Sequence, residues 1–358
     1  MRMTNNSFLF VGSYAKLSEP GIAVYSFDED SGESAFLSHV SGIENPSYFS
    51  LSAEGSYLYS ISERKEIEAR VYAFHFNKKS KQLSMINYQK TDGFSPCYIW
   101  IDKNRTMVVT ANYRGGNINI FHILEGGELS PVSSVFFYEG HGLNLLRQEK
   151  SHPHCIYASP DEKALFVDDL GTDNIYTYNY ENEFLQLINY KEGMVNLRPG
   201  EGPRHAVFHP NGEFVYLLCE LSGNVVVLKY KDRLLRPVQY IGTGHIGAAG
   251  GGDIHVSADG NFVYASFRIN AEGIAVYKVN RGSGKLSLVN FTYTESHPRN
   301  FAISPSGRYL LCACMNSNSI QTFKINNQSG LLTDSHQNIE ISRPACLKLH
   351  SFDMIKAR

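Results

Sequence analysis

The sequence lacks several features that would assign it to a large protein class at once. Among its 358 residues no apolar run approaches the ~20 that a membrane-spanning helix needs, so no membrane partner is expected. Neither sign of charge dominates: a formal net charge of -2 gives no bulk reason to expect nucleic acid or an anionic lipid surface. The start, Met1 to Ser7, is polar and lacks the apolar core of a secretory signal, and the first apolar run, Phe8 to Val11, is short enough to be a strand. Cysteine occurs six times (Cys97, Cys155, Cys219, Cys312, Cys314, Cys346) without one Cys-x-x-Cys pair. Buried, reduced thiols are the plain reading, and they fit a cytoplasmic protein.

Tyr and Phe are abundant, 22 and 21, against a single Trp, and both favour strands. They fall in a repeat. A proline, a short apolar run, a turn such as His209-Pro210-Asn211-Gly212, and an apolar-aromatic run recur along the chain. The openings stand at 46, 96, 153, 203, 251, 298 and 344, spaced by 46 to 57 residues. A third strand follows each hairpin, as at Gly223 to Leu228, and a Gly-x-Leu turn leads to a fourth, as at Gly284 to Val289. Four strands at this period predict a β-propeller. The seventh opening, at Pro344, has one strand after it, whereas Phe8 to Ser38 supplies strands two to four with no first strand. The reading is all-β: one domain over residues 1–358, a seven-bladed propeller whose ring is closed by a blade shared between the two chain ends. Such closure leaves no open sheet edge at either end.

First strands of propeller blades line the central channel, so equivalent positions face one another across it. The residue after each opening position, a proline in every copy but the fifth, where it is Gly251, gives one ring: Ser47, Cys97, His154, Arg204, Gly252, Arg299 and Ala345. The end of each second strand gives another: Tyr14, Glu63, Tyr113, Leu170, Glu220, Arg268 and Met315. His154, Arg204, Glu220 and Arg268 come from three consecutive blades. Arginine presents a fixed fork of donors to phosphate, carboxylate or a developing oxyanion; Glu and His can move a proton. Together they suit a reaction on a small anionic, oxygen-rich molecule.

Gly202-Pro203-Arg204-His205, Phe208-His209-Pro210-Asn211, Cys219-Glu220-Leu221, Asp253-Ile254-His255 and His154 to Asp161 resemble the lactonase family of seven-bladed propellers over essentially the whole chain. That family includes propeller-type 6-phosphogluconolactonases and the carboxy-cis,cis-muconate cyclases. The resemblance implies hydrolysis of a sugar lactone, 6-phosphogluconolactone of the pentose phosphate pathway first, with His154, Arg204, Glu220 and Arg268 as catalytic residues and no metal or cofactor. Whether Glu220 or His154 activates water stays open. Where the family carries Ser-Asn-Arg, this chain has Ser266-Phe267-Arg268. Two other readings stand beside this one: an enzyme for another lactone or a muconate-type carboxylate, and a non-catalytic binding scaffold.

Lesser candidates complete the list. Asp253 and His255 lie near the channel by alignment and are expected as substrate contacts. Arg299 either binds the substrate phosphate or balances a carboxylate. Glu63, far round the ring from Glu220, is expected to be structural. His152-Pro153-His154 is too sparse for a metal site. The glycine-rich run Gly247 to Asp253 has no strand-loop-helix context for phosphate; a loop that lets ligand approach the backbone, or simple flexibility, fits it better. The longest interval holds an insertion, residues 139–150, expected to form a loop over the mouth. The expected partner is a small anionic sugar lactone, with the protein a monomer or weak homo-oligomer.

Overall fold

The computed structural model describes residues 6–64, 69–181, 184–187, 193–244 and 249–352; Met1 to Asn5, Gly247 and Ala248 therefore lie outside the described residues. Seven antiparallel sheets stand around an axis. Blade four shows the unit: Pro203–Phe208, Phe214–Cys219, Val225–Lys231 and Leu234–Ile241 pair in that order. The first strands of neighbouring blades touch one another in an unbroken circle, which sets them along the channel.

The second strands read as continuous apolar runs because both of their faces are buried. In Phe214–Cys219, alternate residues serve different neighbours: Phe214, Tyr216 and Leu218 pack with Ile254, Val263 and Phe267 of blade five. Val215, Leu217 and Cys219 pack with Cys155 and Phe166 of blade three. The two-residue period of a strand sends successive side chains to opposite faces. Tyrosine is used here for its polar tip as well as its ring. The hydroxyl of Tyr216 donates to the carbonyl of Gly284 at 3.1 Å, and those of Tyr59 and Tyr264 donate to Gly127 and Gly330. Each bond fastens a second strand to the last turn of the next blade. Gly284 is required in that turn: its φ is +67°, and a Cβ there would stand 2.4 Å from the Phe214 ring.

The seventh blade is shared as expected. Its sheet runs Ser34–Val40, Ile22–Asp28, Asn6–Ser13, Pro344–His350, and the chain ends meet in register from Phe8 opposite His350 to Gly12 opposite Cys346. Two blades depart from four continuous strands. In blade three Phe184–Leu187 and Met194–Asn196 both pair with Asn174–Glu181. In blade six the outer strand breaks after Asp334, where His336 takes a left-handed φ of 58° and its N–H donates back to the Asp334 carboxylate at 2.7 Å. The six cysteines are buried and unpaired.

Removal of residues 344–358 strips Asn6–Ser13 of its inner partner strand. Amides in that strand should then exchange with solvent roughly tenfold faster or more, read by hydrogen-exchange mass spectrometry against the full-length chain.

Candidate active site

Bulges place the first ring. In blade four Pro203 pairs with Cys219 and His205 with Leu218, which leaves Arg204 unpaired. The same one-residue skip leaves out Cys97, His154 and Arg299 in their blades. A bulged residue escapes the alternation of its strand and is re-aimed. Backbone bonds set the second ring: the N–H groups of Tyr14, Glu63, Tyr113, Leu170, Glu220 and Met315 each donate to the carbonyl of the residue before the opening proline, at 2.7 to 3.0 Å. Tyr14, from the other end of the chain, obeys the same bond and so belongs to the ring.

The rings meet in a cavity of about 700 Å³. Cys97, His154, Arg204 and Arg299 line it from the first ring, and Tyr14, Glu63, Tyr113, Glu220 and Arg268 from the second. Seven arginines face it against three glutamates, so the cavity is strongly cationic in a chain whose net charge is only -2.

Glu220 is the electrostatic centre. Its Oε2 lies 2.8 Å from Arg204 Nε and 3.1 Å from Arg268 Nη2, and its Oε1 lies 2.5 Å from Arg147 Nη2. Burial favours the neutral acid, but the arginines, Arg268 first, then Arg204 and Arg147, outweigh it and hold the carboxyl well below the usual range. The two inner arginines are also anchored to backbone. Arg268 donates to the carbonyls of Gly250 and Gly251 at 2.9 and 2.8 Å, and Arg204 donates to that of Gly252. The described part of the glycine-rich run thus serves close approach, by arginine side chains rather than by a ligand. A Cβ on Gly252 would stand 2.5 Å from Ser266 Oγ and 2.7 Å from the Pro298 carbonyl. His154 is pushed down by burial and then by Arg204, well below the usual histidine range, so its imidazole is neutral at pH 7. Burial drives the Cys97 thiol up and makes it a poor nucleophile.

The four residues His154, Arg204, Glu220 and Arg268 share one wall. Three of them are salt-bridged to one another, as a mere scaffold would have them, yet all four face open volume. Arg299, from blade six, also lines the cavity, where its guanidinium donates to the Tyr14 hydroxyl and lies 3.9 Å from Glu63. Glu63 is in the same wall; its carboxylate accepts from Tyr14 and Ser47 at 2.7 and 2.5 Å. Its structural bonds and its place on the cavity go together.

The expectation for Asp253 and His255 needs correction. Neither lines the cavity: Asp253 is buried, with its oxygens on His205, His255 and Asn300. The register gives the cause: Ile254 stands opposite Ala265 as Ala206 stands opposite Leu217, so Asp253 holds the place of His205, one residue past the bulged position that faces the cavity. Phe267, the departure from the family pattern, is fully buried in the core between blades four and five, and so leaves the cavity unchanged. His152 uses its ring on the Tyr113 carbonyl at 2.8 Å and on Glu149 at 3.2 Å. Among the described residues no group of three or more His, Cys, Asp or Glu is placed to hold a metal.

Arg147 was not foreseen from the rings. It comes from the 139–150 insertion, is 40% exposed in its side chain, and also reaches the Tyr113 hydroxyl at 3.4 Å. The loop base is fixed by Gln148, fully buried, whose side chain donates to the Leu170 carbonyl at 2.9 Å. The only signal in the sequence was the long interval itself.

Glu220→Gln leaves Arg204 and Arg268 buried without their counter-charge and should cost about 3–5 kcal/mol of stability at pH 7, read by urea unfolding. The folded-state pKa of Glu220 is depressed, so its contribution is complete above the unfolded value of about 4.3 and is lost as pH falls. The gap between wild type and variant should therefore narrow in melts below about pH 4.

Comparison with known proteins agrees with this geometry. A family model described as "Lactonase, 7-bladed beta-propeller" matches residues 8–349. The chain is 34% identical to a 6-phosphogluconolactonase of Formosa agariphila, covering 96% of this chain and 99% of that one. It is 33% identical to a 6-phosphogluconolactonase of Bacillus subtilis, covering 95% and 97%. Among solved structures, the periplasmic gluconolactonase of Pseudomonas aeruginosa superposes with a TM-score of 0.90 at 30% identity, over 97% and 99% of the two chains. The chain therefore belongs to the lactonase family of seven-bladed β-propellers.

Proposed function

We propose that this protein is a lactonase, a carboxylic ester hydrolase, and that its substrate is 6-phosphogluconolactone. One observation carries the reading: a carboxylate gripped by three arginines beside a neutral histidine, on the wall of a cavity large enough for a sugar. The names of the Formosa and Bacillus relatives point to the same substrate.

The chemistry follows from charge. The substrate brings a phosphate dianion and develops an oxyanion at the carbonyl. Arg204 and Arg268, immobilised by backbone carbonyls, supply preorganised donors to that oxyanion. The reading assigns the phosphate to Arg147, on a loop, and Arg299, both of which line the cavity. Water attacks the carbonyl carbon and passes a proton to His154. The tetrahedral intermediate then expels the ring oxygen, which takes the proton back from His154, leaving a hydroxy acid. Between the two candidates for water activation, Glu220 is the weaker choice because three arginines hold its lone pairs. His154 is also held down by Arg204 and Arg299, but an anionic substrate offsets those charges and raises its proton affinity. Glu220 instead keeps the arginines together when the cavity holds no anion.

A second reading, an unphosphorylated lactone, draws on the Pseudomonas gluconolactonase. The cysteines, all buried and unpaired, are consistent with a cytoplasmic location.

Purified protein should hydrolyse 6-phosphogluconolactone well above the spontaneous rate, with kcat/KM at least about tenfold above that for gluconolactone. Arg204→Ala, Glu220→Gln and His154→Gln should each lose about 100-fold or more. Wild-type protein no faster than these variants would overturn the proposal; equal rates on both lactones would favour the unphosphorylated substrate.

A further inference from the structure

Beneath the cavity lies a polar cluster that the chemistry above leaves unused. His205 follows the bulged Arg204, and its Nδ1 lies 2.8 Å from Asp253 Oδ1. Asp253 has no freedom to turn. Its backbone N–H donates to Ser266 Oγ at 2.9 Å, and Oδ1 also accepts from the Ile254 N–H at 3.0 Å. Oδ2 accepts from His255 Nε2 at 3.0 Å and from the Asn300 amide, whose own oxygen accepts from the Leu347 N–H at 2.6 Å. The His205 ring is boxed in by Tyr98 and Tyr48, which meet it edge-on at 5.3 and 5.8 Å.

Two buried nitrogens in this region have no hydrogen-bond partner, His205 Nε2 and His154 Nδ1. Their rings are neighbours, with centroids 5.3 Å apart. Two imidazoles at that separation can share one N–H···N bond of about 3 Å after a small ring adjustment. An unsatisfied buried polar atom is costly, and one bond would satisfy both. The proton inventory then has a single consistent solution. The Asp253 carboxylate accepts from His205 Nδ1–H, so His205 Nε2 carries a lone pair. Its complement is an N–H on His154 Nδ1. That leaves the His154 lone pair on Nε2, the ring nitrogen not enclosed by the cluster, where the cavity can reach it.

We infer that Asp253 and His205 are positioning residues that fix, through this buried contact, the tautomer in which His154 offers a lone pair to the cavity. The inference rests on His154 as the base of the proposed hydrolysis, but its structural half stands without any substrate.

The test uses the full chain labelled with ¹⁵N in its histidine rings, with the His154 signals identified by their loss in His154→Gln. Wild-type His154 should be protonated at Nδ1 and bare at Nε2. In Asp253→Ala the acceptor that keeps the proton on His205 Nδ1 is gone, and His154 should no longer be held in the single Nδ1–H tautomer. With 6-phosphogluconolactone, kcat of that variant should fall at least about tenfold while KM stays within about threefold. A wild-type His154 protonated at Nε2 overturns the inference, as does an Asp253→Ala variant with unchanged tautomer and kcat. Should Asp253→Ala not fold, the wild-type spectrum decides by itself. A wild type with the expected spectrum but no lactone hydrolysis supports the tautomer chain and rejects the substrate instead.

Discussion

Everything in this molecule depends on one strand pairing, that of Asn6–Ser13 with Pro344–His350. The functional side chains are scattered over more than 280 residues, from Tyr14 to Arg299, and no blade carries more than a few of them. They converge because seven near-identical sheets are forced into a circle, and the circle exists only when its ends join. Burial of both faces of each second strand supplies the driving force between blades. The tyrosine-to-turn bonds fasten three of the blades to the next one round.

Within the ring, Glu220 solves a problem created by the arginines. Arg204 and Arg268 are both buried, and burial pushes Arg268 toward loss of its proton, Arg204 and Arg299 adding to the effect while Glu220 opposes it. Two such cations side by side would repel strongly in a medium of low polarizability. The carboxylate between them removes that repulsion. It also leaves a surplus of positive charge facing the cavity, so the site is already arranged for an anion and needs little reorganisation to receive one.

How far the sequence disclosed the site follows from what repeats and what does not. His154, Arg204, Glu220 and Arg268 were legible because each occupies a position that recurs every 46 to 57 residues, and a repeat can be aligned without knowing its shape. Shared membership of Tyr14 was legible for the same reason, across the two chain ends. Asp253 and His255 were misplaced because only the bulged position of each first strand is turned to the cavity, and Asp253, one residue further on, takes the place that His205 has in blade four. Arg147 was missed because it lies in the one long insertion, and a residue outside the period has no aligned partner to betray it. The His205–Asp253 pair depends on side-chain contacts between blades, which no spacing along the chain encodes.

The position of Arg147 has a consequence for how such a site can diversify. Its loop is tied to the ring through Gln148 but contributes no strand to any sheet. Changes in its length or charge can therefore be explored without disturbing the blades or the inner arginines. The fixed wall would keep the reaction, and the loop would select which anion is admitted. The division separates what the chemistry requires from what is free to change.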